Sequence, residues 1–351
     1  MRKHRYQLVI VAAVAALLAV VLSACGSSGT GDATASGGKL DPKNPTKVKV
    51  VAEWNFYAAH APVIAAIEHG FFEEEGIEVE FTAPGTPGEQ VKYMVAGRSD
   101  IALTQPMEVP LSRANGIDVK IVGDLFGSNP TGLMTDPDKS GITKPEELEG
   151  KTIGSTNTPD ATGSISTMME NLGISDYKEV NVGEGGVPLL EQGRVDAIHA
   201  LYPGEVILLE KETGKKFPFF EYIDYGVPNY PLLSWISTDK YIEENPEVIK
   251  AFLNGTKKGM ELMKSDAAAF DETMEYIKKE NNVFTSEQHE AIRSVTPQYW
   301  DLSEEVKPQV IEEMAEWMQT VKVNGKPWLA ESDVEPVAEY VTDEFAPGGS
   351  Q

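Results

Sequence analysis

One order of predicted elements occurs twice in this chain and limits its fold more than any other feature. Each copy reads strand, helix, strand, helix, then the word Gly-Arg-x-Asp followed at once by another strand, and the words begin at Gly97 and Gly193. A repeat of this length and divergence is not a solenoid, so the order predicts two similar α/β lobes. The words themselves are typical of a helix stop and a tight turn into a strand.

Apolar runs of matching length indicate the strands of both copies. In the first copy, Val48 to Ala52 and Ile77 to Phe81 are the predicted strands. In the second copy, Lys151 to Ser155 and Glu179 to Val182 are the strands, and Thr162 to Leu172 is the helix between them. About 300 residues follow the N-terminal segment, enough for two lobes of ordinary size.

The loop after the opening strand, residues 53–61, is unusually rich in aromatic and hydrogen-bonding side chains. It holds Trp54, Asn55, Tyr57 and His60. In open α/β sheets, loops at the carboxyl ends of strands are where ligands bind. This loop is therefore a predicted ligand-binding segment.

The first 24 residues have the composition of an export signal. Three basic residues precede an apolar run from Leu8 to Leu22. A membrane-spanning helix is the alternative, but the run is short for one, and a Gly- and Ser-rich stretch without stop-transfer charges follows it. We therefore expect residues 1–24 to be a lipoprotein signal peptide that is removed.

The word that ends this leader, Ser23-Ala24-Cys25, resembles the bacterial lipobox, in which the cysteine becomes the acylated first residue. Cys25 is the expected site of a palmitate-type lipid anchor, which would hold the protein on the extracytoplasmic face of the cell membrane. Residues 25–45 are the expected flexible linker. Because Cys25 is the only cysteine, the sequence allows no intrachain disulfide and no cysteine metal cluster.

Charge and motifs favour binding of a small molecule over turnover. The net charge is −25, a surface that repels nucleic acid and anionic lipid headgroups, so we expect no nucleic-acid partner. The chain has no Gly-x-Ser-x-Gly word, Walker loop, dinucleotide fingerprint or His-Glu-x-x-His word. His60 and His199 fall at predicted strand-to-helix junctions, but two scattered histidines do not make a metal site. We expect no catalytic residue, no metal and no cofactor.

Two stretches of the first copy resemble a known family. Glu53 to Pro62 and Gly70 to Ile77 are similar to the opening of substrate-binding proteins of bacterial ABC importers. The subgroup that they resemble is the formylaminopyrimidine-binding lipoproteins, which serve thiamine precursors and share their fold with the fungal thiamine-pyrimidine synthases. The Trp-Asn-x-x-x-x-His-Ala-Pro word and the word from Val227 to Tyr230 point to this pyrimidine group. Gly70 to Ile77 is common to many solute-binding relatives, including those for sulfonates.

The resemblance implies an α/β fold of the type 2 periplasmic-binding-protein kind, with two lobes and an interlobe ligand cleft. Residues 46–135 would form the first part of lobe 1, and 136–230 lobe 2. Residues 231–345 would return to lobe 1 through a strand at Leu232 to Ser237 and end in C-terminal helices. The implied partners are an ABC permease and its ATPase subunit.

The resemblance also assigns residues to the ligand. They come from loops of both lobes and are Trp54, Asn55, His60, Gln105, Tyr202, Glu205 and Tyr230. Trp54 would stack on a planar ring, and Asn55 and His60 would line the same wall. Gln105 and Glu205 would meet polar ring edges, and Tyr202 and Tyr230 would close the site from the second lobe and the crossing segment. A carboxylate suits an aminopyrimidine, which offers N–H donors.

Each assignment has a structural alternative. Trp54 could cap the core, His60 could be a polar group at a helix start, and Glu205 could be a helix-initial carboxylate favoured by the helix dipole. The word Leu201 to Glu205 also lacks the tryptophan expected in formylaminopyrimidine binders. The alternative ligands are therefore a flavin such as riboflavin and an organic sulfonate or nitrate-type solute.

Other functional classes are less well supported by the residues. The fungal synthases carry a consumed histidine where this chain reads 107–113, and a cysteine cluster where it reads 226–235, and neither is present here. An iron-dependent synthase is thus disfavoured. The loop 156–163 carries Asp160 and no cation, which argues against an anionic ligand. A surface adhesion module would have no pocket lined by Trp54 and Glu205.

Overall fold

The computed structural model describes residues 39–346 without 86–87, 282–284, 301–305 and 324. The predicted export signal and Cys25 lie outside the described residues. In the described part of the chain, no helix combines the length and the apolar character needed to cross a membrane.

In chain order the strands are β1 (Thr46–Val51), β2 (Ile77–Thr82), β3 (Ile101–Thr104), β4 (Val119–Phe126), β5 (Thr131–Thr135), β6 (Lys151–Ser155), β7 (Tyr177–Asn181), β8 (Ala197–Leu201), β9 (Phe219–Glu221), β10 (Leu233–Thr238), β11 (Lys322–Val323) and β12 (Lys326–Pro327). The helices are α1 (Ala61–Glu68), α2 (Phe71–Glu74), α3 (Gln90–Val95), α4 (Glu108–Ala114), α5 (Pro137–Ser140), α6 (Pro159–Leu172), α7 (Gly186–Glu191), α8 (Ile207–Thr213), α9 (Asp239–Glu244), α10 (Pro246–Ser265), α11 (Ala267–Asn281), α12 (His289–Val295), α13 (Pro308–Thr320) and α14 (Val337–Tyr340).

Two five-stranded sheets carry the described part of the fold. The first has the order β2-β1-β3-β10-β4 and the second the order β7-β6-β8-β5-β9. In each sheet three strands run parallel, and a fourth, β10 or β5, pairs antiparallel with the third. The α/β class, the two lobes and the return strand near Leu232 to Ser237 are confirmed.

The crossing from the first sheet to the second comes earlier than predicted. Residues 46–135 were assigned to lobe 1, but β5 pairs with β8 and β9 of the second sheet. Its apolar residues suit a core strand of either sheet, so the sequence pattern did not distinguish the two. The chain thus leaves the first sheet after Phe126 and enters the second at Thr131.

The two Gly-Arg-x-Asp words have the same geometry. Asp100 accepts a hydrogen bond from the N–H of Lys49 at 2.8 Å, and its own N–H donates to the Lys49 carbonyl at 2.8 Å. Asp196 makes the same pair of bonds with Thr152, both at 2.8 Å. The preceding glycines have φ of 67° and 65°, which ends each helix in a tight turn. The predicted duplication is therefore confirmed at the level of single hydrogen bonds.

The first-lobe core is built where α10 crosses α1 and α2. Phe72 stacks on Phe252 with ring centroids 5.5 Å apart, and Trp235 packs edge-on against Phe252 at 4.8 Å. Gly259 allows α10 to approach α1, because a side chain there would meet the carbonyl oxygen of Pro62. This contact fixes α1, and with it the loop 53–61 that precedes α1.

The C-terminal residues contact both lobes, whereas residues 231–345 were expected to return to lobe 1. On the second lobe, Trp317 of α13 donates from Nε1 to Thr167 of α6 at 2.9 Å. On the first, Arg113 of α4 binds Glu335 and Glu339. The helical character of this region is as predicted, but its position is shared between the lobes.

The two connections between the sheets lie side by side. The N–H of Asn129 donates to Oδ1 of Asn229 at 3.1 Å, and the N–H of Leu232 donates to the carbonyl of Phe126 at 3.0 Å. Thr131 donates in turn to Oδ1 of Asn129 at 2.6 Å. The Val-Pro-Asn-Tyr word is thus part of the joint between the lobes.

Candidate functional site

The loop after β1 turns sharply and runs through a 3-10 turn, Ala58–His60, into α1. Within it His60 is completely buried. Its Nδ1 accepts the N–H of Tyr57 at 3.1 Å, and its Nε2 lies 2.8 Å from a carboxylate oxygen of Glu53. Because Nδ1 is an acceptor, the ring proton is on Nε2 and is donated to Glu53.

His60 therefore does not line the open face of the cleft, and its contact with a ligand stays a prediction. The buried turn directs its ring inward, between Phe56 and Phe81, each 5.7 Å away between centroids. Its contact with Glu53 gives it a different role, which is to hold that carboxylate in place.

Glu53 and Tyr57 lie together on the first-lobe side of the cleft. Burial raises the pKa of Tyr57 well above its usual value, and the charges of Glu53 and Glu205 raise it further. Glu205 belongs to the second lobe, and its charge acts on Tyr57 of the first lobe. The two lobes therefore face each other at this point. Sequence reasoning missed Glu53 and Tyr57 as site residues, although both stand in the loop that it singled out.

Trp54 and Asn55 are exposed at the bend of the same loop. Trp54 is 38% exposed, while Trp235, Trp300 and Trp317 are at most 6% exposed. This exposure favours the predicted stacking on a planar ring over the alternative in which Trp54 caps the core.

Gln105 lies at the end of β3, as predicted, and contacts the other lobe. Its Nε2 donates to Oδ2 of Asp160 at 3.0 Å. Glu108, at the start of α4, is close to the same group, and its pKa is raised by burial and then by the charge of Asp160. A glutamine and two carboxylates thus meet where the lobes face each other.

The loop between β6 and α6 is held in a fixed shape by a partly buried carboxylate. Ser155 and Thr162 both donate hydroxyl hydrogen bonds to the same oxygen of Glu179, and the Thr162 bond is 2.9 Å long. Asn157 has a φ of 55° and donates its N–H to the Ser155 hydroxyl at 2.9 Å. This arrangement presents Asp160, in the first turn of α6, to Gln105.

Tyr202 and Glu205 belong to a single π-helical turn, Tyr202–Val206, between β8 and α8. Glu205 accepts the N–H of Leu201 at 3.0 Å through one oxygen and is otherwise exposed. Tyr202 is partly buried, with its ring 5.5 Å from Phe219 and its N–H bonded to the Pro130 carbonyl at 2.9 Å. Glu205 is therefore accessible, and Tyr202 forms part of the wall behind it.

Tyr230, predicted to close the site from the crossing segment, is only 2% exposed. Its ring lies 5.8 Å from Trp317, and its hydroxyl is beside Ser164 and Asn129. Burial raises its pKa, and the charge of Asp160 raises it further. Packing against Trp317 draws the ring into the joint, so Tyr230 supports the cleft from behind.

His199 lies within β8, two residues before its end, rather than at a strand-to-helix junction as predicted. Its Nδ1 is 3.0 Å from the hydroxyl of Tyr222. Burial lowers its pKa, while the nearby charges of Asp160, Glu205 and Glu179 act in the opposite direction.

The ionisable side chains that these contacts connect are mostly acidic. They come from both lobes and are Glu53, Glu108, Asp160, Glu179 and Glu205. Among the residues that the structure describes, no group of three or more histidine, aspartate, glutamate or cysteine side chains is arranged to hold a metal ion. The arrangement offers hydrogen-bond acceptors and an exposed aromatic face, which suits a ring that carries N–H donors.

Comparison with known proteins gives relatives of two kinds. The formylaminopyrimidine-binding protein of Halalkalibacterium halodurans is 32% identical over 219 residues, which is 62% of this chain and 66% of that protein, just under two thirds of its length. A 4-amino-5-hydroxymethyl-2-methylpyrimidine phosphate synthase of Candida albicans is 24% identical over 229 residues, 62% of this chain and 67% of that protein.

Solved structures agree on the fold. The alkanesulfonate-binding protein SsuA from Xanthomonas axonopodis pv. citri, bound to MOPS, superposes with a TM-score of 0.64 at 15% identity over 85% of this chain and 99% of that one. A Candida albicans protein described as having the generic periplasmic binding protein fold gives a TM-score of 0.59 at 14% identity, over 85% and 96%. The two-lobed periplasmic-binding-protein fold is thereby confirmed. The family model described as NMT1/THI5 like matches residues 57–269, more than half of the sequence, and the chain belongs to this NMT1/THI5-like family.

Proposed function

We propose that this protein is the solute-binding component of an ABC importer and that it captures a small planar heterocycle, an aminopyrimidine of the thiamine-precursor class, between its lobes. The observation that carries the proposal is that the loop 53–61 holds an exposed tryptophan, Trp54, and a tyrosine, Tyr57, on which the charges of Glu53 from the first lobe and Glu205 from the second both act. The name of the Halalkalibacterium halodurans relative supports the same ligand class.

The first contact would be stacking on Trp54. Trp54 is 38% exposed and stands on a loop whose neighbouring residues are buried, so its ring is accessible to a flat ligand. A pyrimidine ring is flat and of suitable size for one indole face. Stacking of a base on an aromatic side chain contributes about 1–3 kcal/mol by alanine substitution.

The second set of contacts would be hydrogen bonds to carboxylates. Glu205 uses one oxygen for the Leu201 N–H and has acceptor capacity left for an exocyclic amine. Asp160 and Gln105, joined at 3.0 Å, lie on opposite lobes, so a ligand that bonds to either is held between them. Contacts on both lobes would favour the closed form, which is how ligand binding couples to closure.

The other parts of the importer follow from this role. Acylation at Cys25 would hold the protein on the extracytoplasmic face of the membrane, where the bound ligand is passed to a permease powered by a separate ATPase. A leader followed by a Gly- and Ser-rich linker supports this arrangement.

Anionic ligands and synthase activity are less well supported. Among the residues that the structure describes, the hydrogen bonds of Gln105, Asp160, Glu179 and Glu205 involve no lysine or arginine, whereas a sulfonate requires N–H donors or a cation. Relatives named as synthases do exist in this family. However, residues 107–113 contain no histidine and residues 226–235 no cysteine, so the fungal reactive groups are lacking in this sequence.

The test is to measure affinity by isothermal titration calorimetry for formylaminopyrimidine, 4-amino-5-hydroxymethyl-2-methylpyrimidine, riboflavin and an alkyl sulfonate. We expect the aminopyrimidines to bind and Trp54→Ala to weaken them by about 5- to 150-fold, the equivalent of about 1–3 kcal/mol. Tyr276→Ala is the matched control, because Tyr276 is also an exposed aromatic residue, 40% exposed, but lies on α11. Tight binding of only riboflavin or the sulfonate would refute the ligand class.

A further inference from the structure

The strand β8 has two faces of different character. Ile198 and Ala200 are at most 1% exposed and belong to an apolar cluster with α7 and α8. His199 and Leu201 share the other face with Ala197, because side chains alternate along a strand. Ala197 is completely buried in the second-lobe core, whereas Leu201 packs against the cluster that contains the first-lobe core, so the Leu201 end of this face lies toward the first lobe. His199 is partly exposed on it.

Tyr222 decides which nitrogen of His199 carries the proton. The phenol is completely buried and lies 3.0 Å from Nδ1 of His199, with the two rings stacked at 5.6 Å. Burial and the nearby charges of Glu179 and Asp160 raise the pKa of Tyr222, so the phenol keeps its proton. A buried O–H without an acceptor is costly, and Nδ1 is the acceptor it has. Nδ1 therefore accepts, and Nε2 carries the imidazole proton.

Within the part of the chain that the structure describes, the Nε2–H group of His199 has no protein acceptor, although the ring is partly exposed. The titratable groups that face it from the surrounding elements are Asp160 of α6, Glu179 of β7, Glu205 of the π-helical turn and Tyr222. Burial lowers the pKa of His199, which keeps the ring neutral. The cleft thus contains one neutral donor among acidic acceptors.

We propose that the Nε2–H of His199 donates a hydrogen bond to an uncharged acceptor atom of the ligand, a ring nitrogen or a carbonyl oxygen, and that Tyr222 is the positioning residue that holds this tautomer. The proposal rests on the proposed function and deepens it. It defines a ligand with N–H donors on the edge that meets the carboxylates and a neutral acceptor on the edge that meets His199. An anionic acceptor is excluded there, because Asp160, Glu179 and Glu205 would repel it.

The experiment is NMR of the imidazole nitrogens in the full-length protein, without and with formylaminopyrimidine or 4-amino-5-hydroxymethyl-2-methylpyrimidine. Loss of signals in His199→Gln assigns the ring. We expect the Nε2–H tautomer in the free protein and a change in the Nε2 shift on binding of either pyrimidine. A change with the formyl compound alone would identify the carbonyl oxygen as the acceptor, and a change with both would identify a ring nitrogen.

Affinity measurements complete the test. We expect His199→Leu to weaken pyrimidine binding by about fivefold, the loss of one neutral hydrogen bond. Tyr222→Phe, which keeps the ring but removes the proton donor, should weaken it by less and should give a mixture of tautomers. His69→Leu is the matched control, because His69 is exposed at the end of α1, and its affinity should equal that of the wild type.

The outcomes separate the two proposals. A wild-type protein that binds neither pyrimidine overturns the proposed function and this inference together. A wild-type protein that binds them, but shows an Nδ1–H tautomer or the same affinity in His199→Leu, overturns the inference alone. The tautomer is read on the wild-type protein, so the result stands even if Tyr222→Phe does not fold.

Discussion

The contact between α10 and α1 gives the sharpest prediction for stability. An ideal Cβ at Gly259 would lie 2.0 Å from the carbonyl oxygen of Pro62 and 3.1 Å from Cβ of Ala66. The first neighbour is backbone and cannot rotate away, so Gly259→Ala forces the two helices apart. Because α1 follows directly on the loop 53–61, the displacement reaches Trp54 as well.

The sign of the stability change in Gly259→Ala follows from two opposing contributions. Alanine in a helix interior is favoured over glycine by about 1 kcal/mol. Overpacking typically costs about 1–3 kcal/mol and occasionally more, and a backbone clash at this distance belongs to the upper end of that range. We expect a net loss of about 2 kcal/mol. This corresponds to a decrease in Tm of about 4–8 °C on the scale for domains of about 150–250 residues.

The assay is thermal unfolding followed by circular dichroism, with Gly163→Ala as the control. A Cβ at Gly163 of α6 would meet Cγ1 of Val321 at 2.9 Å, and this neighbour is a side-chain methyl group that can shift. We expect Gly163→Ala to change stability by less than about 1 kcal/mol. A Tm of Gly259→Ala at or above the wild-type value would show that the close contact between α10 and α1 does not fix the position of α1.

Three further predictions concern charged groups. The pKa of Glu108 is higher in the folded protein than in the unfolded chain. Protonation of Glu108 therefore stabilises the folded protein in full below the unfolded-state pKa, and this stabilisation is lost as the pH rises through the folded-state pKa. Glu108→Gln should therefore raise Tm near neutral pH and not in acid, and an equal effect at all pH values would contradict this. Arg113 is 7% exposed, hydrogen-bonds to three carboxylates and lies 3.9 Å from a fourth, that of Asp118. Arg113→Met should therefore lose about 2 kcal/mol in urea unfolding, less than for a fully buried pair because the carboxylates are partly exposed; no loss would refute the ion-pair argument. Asp196→Asn keeps an acceptor for the Thr152 N–H and should be more stable than Asp196→Ala by about 1 kcal/mol, whereas equal stability would argue against that bond.

The fold was predictable because its signals are local. Each Gly-Arg-x-Asp word ends a helix and starts a strand within a few residues, and the aspartate bonds back to a strand of its own copy. The position of β5 was not predictable in the same way. Its apolar residues would fit either sheet, and the choice depends on pairing with β8, more than 60 residues later along the chain.

The site was predictable only in part, because loop position does not determine which way a side chain points. Trp54, Gln105 and Glu205 each follow the end of a strand, the position from which they were predicted as site residues. Trp54 and Glu205 are exposed there, and Gln105 reaches the other lobe. His60 has the same kind of position in sequence, but a 3-10 turn directs its ring into the core. Tyr230 is drawn inward by Trp317, a residue from the far end of the chain. Such long-range packing leaves no local signal.

The buried histidine and the acidic cleft have one explanation if the site is considered as a whole. Carboxylates from facing lobes repel each other unless hydrogen-bond donors lie between them. Inside the first lobe His60 supplies such a donor to Glu53, and at the lobe contact Gln105 supplies one to Asp160. Glu205 receives only the N–H of Leu201 and is otherwise exposed. Water hydrates the rest of this carboxylate in the free protein, so under the proposed function the N–H groups of the ligand replace that water and favour closure.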